Sequence, residues 1–286
     1  MSDAEDPIPR SDLTVRFAAG VVMVAVATLA ITLGGWPFRA LVLAGAAVTL
    51  LEWADMHRVP RLWAWFGAVF LAVNLLAVTE WLYPAGQVDA VAGPSGEMIL
   101  AVARESFDPA RYGFAAALGL GLLLGLFSRR VAMGWGYVYV AVPSFALLVL
   151  SWADIGLVFW VMIVTWATDI FAYFAGRSIG GPKLAPKISP NKTWAGLIGG
   201  MAGAGALGWL TADWFELGSP FTWLGAAMGA VAQAGDLYES RVKRRLGVKD
   251  SGTILPGHGG VLDRIDGLLA VAAATMALVM AGLWTG

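Results

Sequence analysis

Residues 236–266 read DLYESRVKRRLGVKDSGTILPGHGGVLDRID, and the chain on either side of them is strongly apolar. The segment holds Asp236, Glu239, Asp250, Asp263 and Asp266, the cations Arg241, Lys243, Arg244, Arg245, Lys249 and Arg264, one of the two histidines, and a Gly-Pro-rich turn. Across 286 residues only 14% are charged, 58% are hydrophobic and the mean hydropathy is +0.71. A soluble domain would be about a quarter charged. The reading is therefore an all-α, polytopic integral membrane protein that gathers its charge at one place, and chemistry is sought there. With no cysteine, disulfides, thiolate catalysis and Cys-based zinc or iron–sulfur sites are excluded. Thirty-six glycines suit close helix–helix approach, and the 14 tryptophans and six tyrosines suit interfacial belts.

Working outward, about nine apolar runs are drawn, over 15–33, 38–51, 62–82, 112–127, 131–150, 155–175, 194–210, 221–234 and 267–284. The short second and eighth runs are compatible with half-helices. A polar excursion over 83–111 includes a stretch, 97–103, that suits a short amphipathic helix. The first apolar run is long enough to span and follows a polar, acid-bearing start, so no cleavable leader is expected. Basic residues test the topology. Arg10 and Arg16, then Arg58 and Arg61, then Arg129 and Arg130, then Arg177, Lys183, Lys187 and Lys192, then Arg241, Lys243, Arg244, Arg245 and Lys249 are each separated by two crossings. All five groups fall on one side, which the positive-inside rule makes the cytoplasm. The expectation is nine transmembrane helices, N-terminus inside and C-terminus outside. The chain reads as a single membrane domain, 1–286, in which 1–150 mainly supplies scaffold helices and 151–286 the catalytic helices and cytoplasmic loops.

Asp263 and Asp266 are three apart at the expected start of the last helix, so they share a face. Asp236 ends the eighth run, and the segment between leaves and re-enters one membrane face, which can bring Asp236 beside the pair. Three carboxylates without Cys or clustered His favour a hard cation, Mg²⁺ or Mn²⁺. Helix capping or pairing with Arg241 and Arg264 is the plainer alternative, and it weakens as carboxylates accumulate near spans, where they are costly. Lys243, Arg244, Arg245 and Lys249 form a cationic cluster in the loop, and LPGHGG offers backbone that can approach a ligand closely. Cations, exposed amides and a carboxylate-bound ion together suit a nucleotide polyphosphate. A second polar region precedes the seventh run. Asp169 and Tyr173 share a helix face, and Lys187, Ser189, Asn191, Lys192 and Thr193 form a polar patch. Ser189 or Asn191 would cap the seventh helix with Thr193 in its first turn. Glu52, Asp55 and His57 are read as interfacial, and Glu80 and Asp154 are assigned no role.

The stretch from Ser240 to Asp266 resembles the signature of the phosphatidate cytidylyltransferases (CDP-diacylglycerol synthases), S-x-x-K-R-x-x-x-x-K-D-x-x-x-x-x-P-x-H-G-G-x-x-D-R-x-D. Every fixed position is met, by Ser240, Lys243, Arg244, Lys249, Asp250, Pro256, His258, Gly259, Gly260, Asp263, Arg264 and Asp266. DIFAYFAGR and KISPNKTWAG, upstream, resemble the family's second characteristic region. The resemblance implies the reaction CTP + phosphatidic acid → CDP-diacylglycerol + pyrophosphate with one or two Mg²⁺. On that reading Asp236, Asp263 and Asp266 hold metal, and Lys249, His258 and Arg264 join them as catalytic residues. Substrate binding falls to Asp169, Tyr173, Lys187, Ser189, Asn191, Lys192, Thr193, Ser240, Lys243, Arg244, Asp250, Gly259 and Gly260. The expected partners are CTP, phosphatidic acid and membrane lipid, with no nucleic acid and a homodimer left open. The expected location is a bacterial inner membrane with the site facing the cytoplasm. The alternatives are a cation or metabolite transporter with an Asp cluster, or another lipid-headgroup transferase. The latter families carry D-x-x-x-D pairs, whereas this chain has D-x-x-D.

Overall fold

The computed structural model describes residues 10–82, 96–255 and 259–284. Among them are nine helices and one short hairpin: α1 (Arg10–Leu33), α2 (Gly35–Met56), α3 (Arg61–Leu82), α4 (Gly96–Phe127), α5 (Val131–Ala153), α6 (Ile155–Ser178), β1 (Lys183–Ala185), β2 (Ser189–Thr193), α7 (Trp194–Trp214), α8 (Ser219–Leu246) and α9 (Leu262–Met280). The chain is an all-α polytopic membrane protein. Six stretches are long and apolar enough to cross a bilayer: Gly35–Met56, Arg61–Trp81, Ala110–Phe127, Val131–Ala153, Ile155–Ser178 and Trp194–Trp214. Large apolar side chains on these helices face outward, such as Leu122, Leu126 and Val131, as helices in lipid require.

The bundle is organised around α5, which packs against α2, α3, α4, α6 and α9. Tyr137, Val140, Ala141 and Phe145 of α5 are wholly or almost wholly buried. Asp154 alone joins α5 to α6. It caps the end of one and the start of the other, accepting from the Gly156 amide at 2.7 Å. α7 packs between α6 and α8, and α9 lies against α8 and α5.

Four local features differ from the sequence expectation. The second and eighth runs are complete helices of 22 and 28 residues. α8 does not stop where apolarity stops at residue 234. It continues to Leu246 and ends at Gly247, whose left-handed backbone (φ 74°) lets its amide and that of Val248 bond back to Arg244 and Lys243 carbonyls. Lys243, Arg244 and Arg245 therefore stand on the last helical turn, favourably placed at the negative end of the helix dipole, rather than in a loop. The basic stretch before α7 contains an antiparallel hairpin in which Lys183 faces Thr193 and Ala185 faces Ser189. The stretch 97–103 is not a separate helix but the beginning of α4.

Candidate active site

A cleft of about 520 Å³ opens between the end of α6, the start of α7 and the middle of α8. Asp169, Tyr173 and Arg177 line it from α6, Asn191, Lys192 and Thr193 from β2, and Gln233 and Asp236 from α8. The α7 end is set by Thr193. Its hydroxyl accepts from the Gly196 amide at 3.0 Å, so Thr193 is the cap and Ser189 and Asn191 lie in β2. The capping role expected of Ser189 or Asn191 is corrected on this point: strand β2 holds both short of the helix start and brings Thr193 to the cap position.

Lys192 ties the two walls together. Its ammonium lies 2.5 Å from Asp236 Oδ2 and donates to Gln233 Oε1 at 2.8 Å. Asp236 also accepts from Ser240 Oγ one turn on, at 3.3 Å. Asp266 comes beside Asp236 because α8 and α9 touch there. A Cβ on Gly235 would stand 2.7 Å from the Asp266 carbonyl oxygen and 2.8 Å from Ala270 Cβ. Burial, then the charges of Asp236 and Asp169, push the Asp266 carboxyl well above the usual carboxylate range, against the Gly267 amide and Lys192, which act to lower it. Asp169, Asp236 and Asp266 thus form one electrostatic group, to which Lys192 and Arg264 bring positive charge.

Asp263 belongs to a neighbouring knot. It accepts from Lys243 Nζ at 2.6 Å, from the Ser251 amide at 2.9 Å and from the Gly260 amide at 2.7 Å. Lys243 also contacts Glu239 Oε2 at 2.7 Å. Burial disfavours the Lys243 ammonium, but the bonds to Asp263 and Glu239 outweigh it and raise the Lys243 pKa. Burial alone would raise Asp263; Lys243 and the Gly260 and Ser251 amides reverse this and lower it. Glu239 is 1% exposed, and burial pushes its carboxyl up to about 8 despite Lys243. The knot thus gathers one lysine between two acidic side chains, Asp263 and Glu239. Lys243, expected among the phosphate contacts, is held inside it.

The remaining sequence candidates are spread around these two centres. Arg244 Nε donates to the Ile188 carbonyl at 3.4 Å, linking α8 to the hairpin. Lys187 is exposed at the hairpin turn and Ser189 half-buried. Lys249 and Asp250 are exposed after α8, and Arg264 is exposed on the first turn of α9. Gly259 takes a left-handed backbone (φ 83°), and a Cβ there would lie 2.5 Å from Asp263 Oδ2. The Gly259–Gly260 pair therefore wraps this backbone onto Asp263. His258, a catalytic candidate, lies outside the described residues. Among the described residues no three histidines or acids are close enough to hold a metal ion as they stand. The charge balance around Asp266 nevertheless fits a cation: three carboxylates face two cationic side chains, and the most buried of them resists ionisation without further positive charge.

Sequence reasoning missed two residues here. Glu239 was passed over although it lies one helical turn before Lys243, a spacing that pairs side chains. Glu52, read as interfacial, is 4% exposed and bonds to the loop before α9.

Fold and cleft together define a helical membrane protein that presents carboxylates, cations and a glycine-wrapped loop at the ends of its apolar helices. The chain belongs to the Cytidylyltransferase family, whose sequence profile matches residues 14–281. A phosphatidate cytidylyltransferase of Brucella abortus (strain 2308) is 59% identical over 114 residues, 38% of this chain and 42% of that protein. One from Pseudomonas aeruginosa is 41% identical over 163 residues, 54% of this chain and 59% of that one. One from Rickettsia felis is 33% identical over 181 residues, 58% and 80% of the two chains. The match thus spans less than half the length of the Brucella relative.

Proposed function

We propose that this protein transfers the cytidylyl group of CTP to phosphatidic acid, giving CDP-diacylglycerol and pyrophosphate for phospholipid synthesis. The observation that carries this reading is the carboxylate group of Asp169, Asp236 and Asp266, bridged to the α7 side by Lys192, in a chain of the cytidylyltransferase family. A phosphate oxygen of the lipid attacks the α-phosphorus of CTP. The new P–O bond forms as the bond to the β-phosphate oxygen breaks, and pyrophosphate leaves with the electron pair. The lipid phosphate is already an anionic nucleophile, so the task is positioning and charge neutralisation. One or two Mg²⁺, held by Asp236 and Asp266 with Asp169, would neutralise charge on the triphosphate. Asp263 serves the metal site indirectly, by anchoring the Ser251 and Gly260 amides of the loop that leads into α9. Lys249, Arg264 and His258 are assigned to the triphosphate side with Asp250, Gly259 and Gly260. Tyr173, Asn191, Lys192 and Thr193, which line the cleft, are assigned to the lipid side together with Lys187 and Ser189 of the hairpin, while Ser240, Lys243 and Arg244 brace the end of α8.

The charge pattern supports nine crossings in a bacterial inner membrane, N-terminus inside and C-terminus outside, with the site at the cytoplasmic face where CTP meets a lipid held by its tails. The chain then works as a single membrane domain, with 1–150 as scaffold and 151–286 carrying chemistry.

The test uses detergent-solubilised protein with phosphatidic acid, Mg²⁺ and labelled CTP, following CDP-lipid and pyrophosphate. Wild type is expected to make both, and Asp236→Asn or chelation to abolish them. Folded wild type making neither product would overturn the reading. Thermal stabilisation by CTP with Mg²⁺ separates it from a cation transporter, which needs no nucleotide.

A further inference from the structure

Glu52 lies in α2, 199 residues from the nearest partner of its side chain in sequence, Ser251. It is buried at 4% exposure in a largely apolar helix, where a carboxylate is costly unless its bonds are satisfied. They are. Oε1 accepts from the Val261 amide at 2.8 Å, and Oε2 accepts from the Leu262 amide at 2.8 Å and from Ser251 Oγ at 3.2 Å. Val261 and Leu262 begin α9, which has no side-chain cap of its own. Glu52 supplies that cap from another helix, placing negative charge at the positive end of the α9 dipole.

The chain has been shaped around this carboxylate. A Cβ on Gly260 would stand 2.6 Å from Glu52 Oε2, and one on Gly252 would stand 2.8 Å from Oε1. Ser251 is gripped from two sides, by Glu52 through its hydroxyl and by Asp263 through its amide. Lys249 and Asp250 immediately precede it. We propose that Glu52 is a positioning residue that fixes the loop between α8 and α9 and so sets the nucleotide side of the site. The inference rests on the CTP reading above. It makes α2, a scaffold helix, part of how the site is held without touching substrate.

Two measurements on Glu52→Gln, which keeps the volume but loses one acceptor oxygen, test this. Steady-state kinetics should show the KM for CTP rising roughly tenfold or more, with the KM for phosphatidic acid within about twofold, because the lipid side of the cleft is built on β2 and α6. A general loss of packing would instead move both together, and that result, or unchanged kinetics, would overturn the proposal. Trypsin cleavage after Lys249 in detergent should be faster in the variant; an unchanged rate also overturns it. If Glu52→Gln does not fold, Ser251→Ala removes only the hydroxyl contact and should move the same KM in the same direction by roughly threefold. A wild type that turns over no CTP would sink the functional reading, and the cleavage rates would still decide whether Glu52 holds the loop.

Discussion

Asp236 and Asp263 have the same side chain and nearly opposite surroundings. Asp236 faces an open cleft and one ammonium, while Asp263 has a lysine and two backbone amides closed around it. Asparagine at 236 should leave the melting temperature in detergent almost unchanged while abolishing turnover. Asparagine at 263 should also destabilise the protein by about 2–3 kcal/mol, because Lys243 and its neighbours lose a charged acceptor. Thermal melts of the two variants side by side check this. Asp266 adds a pH dependence. Its carboxyl is held high by burial and by Asp236, so it takes up a proton well before an ordinary carboxylate as pH falls. Protons then compete with a cation, and the Mg²⁺ concentration needed for half-maximal activity should rise as the medium is acidified from neutrality. A Mg²⁺ requirement flat in pH would remove Asp266 from the metal site. The signature singled out these residues but not their grouping. Asp263 and Asp266 sit three apart on one helix, yet their partners come from different directions: loop amides for one, α8 and α6 for the other. Glu52 was illegible for the same reason, since an acid beside Asp55 and His57 at the end of an apolar run looks interfacial until its distant partners are known.

At the scale of elements, the close crossing of α8 and α9 puts two of the carboxylates side by side. Alanine at 235 would press on the Asp266 carbonyl and on Ala270. The helices must separate, at a cost of about 1–3 kcal/mol, and the Asp236–Asp266 spacing must widen. Gly235→Ala should therefore lose activity more than tenfold while the nearby Ala234→Gly, at an exposed position, costs activity little; equal effects would count against the crossing as the spacer. Most helices were legible, because long apolar runs have few other solutions in lipid. The end of α8 was not, because hydropathy marks where a helix leaves the membrane and says nothing of where it stops. Gly247 was the available stop signal. The hairpin escaped because two strands of three and five residues carry too little periodicity to register.

For the whole molecule, α5 supplies the buried axis and α6–α9 the site, with α2 reaching across to the loop before α9. The cysteine-free sequence makes the orientation open to direct test. Single cysteines placed at Lys187 and at Trp284 should label from opposite sides of inverted and right-side-out vesicles if the chain crosses nine times. Labelling from the same side would remove one crossing, most simply at α8 or α9, whose charged turns separate them from the six clearly apolar spans.

The bond between residue 52 and residues 261 and 262 also has a consequence in time. A ribosome delivers Glu52 of α2 209 residues before Val261, so the carboxylate has no partner to accept from until the start of α9 has been made. A nascent chain that has not yet made α9 can insert the earlier helices and still leave the α8–α9 loop without this anchor. Synthesis order thereby ties the anchoring of that loop to the arrival of α9.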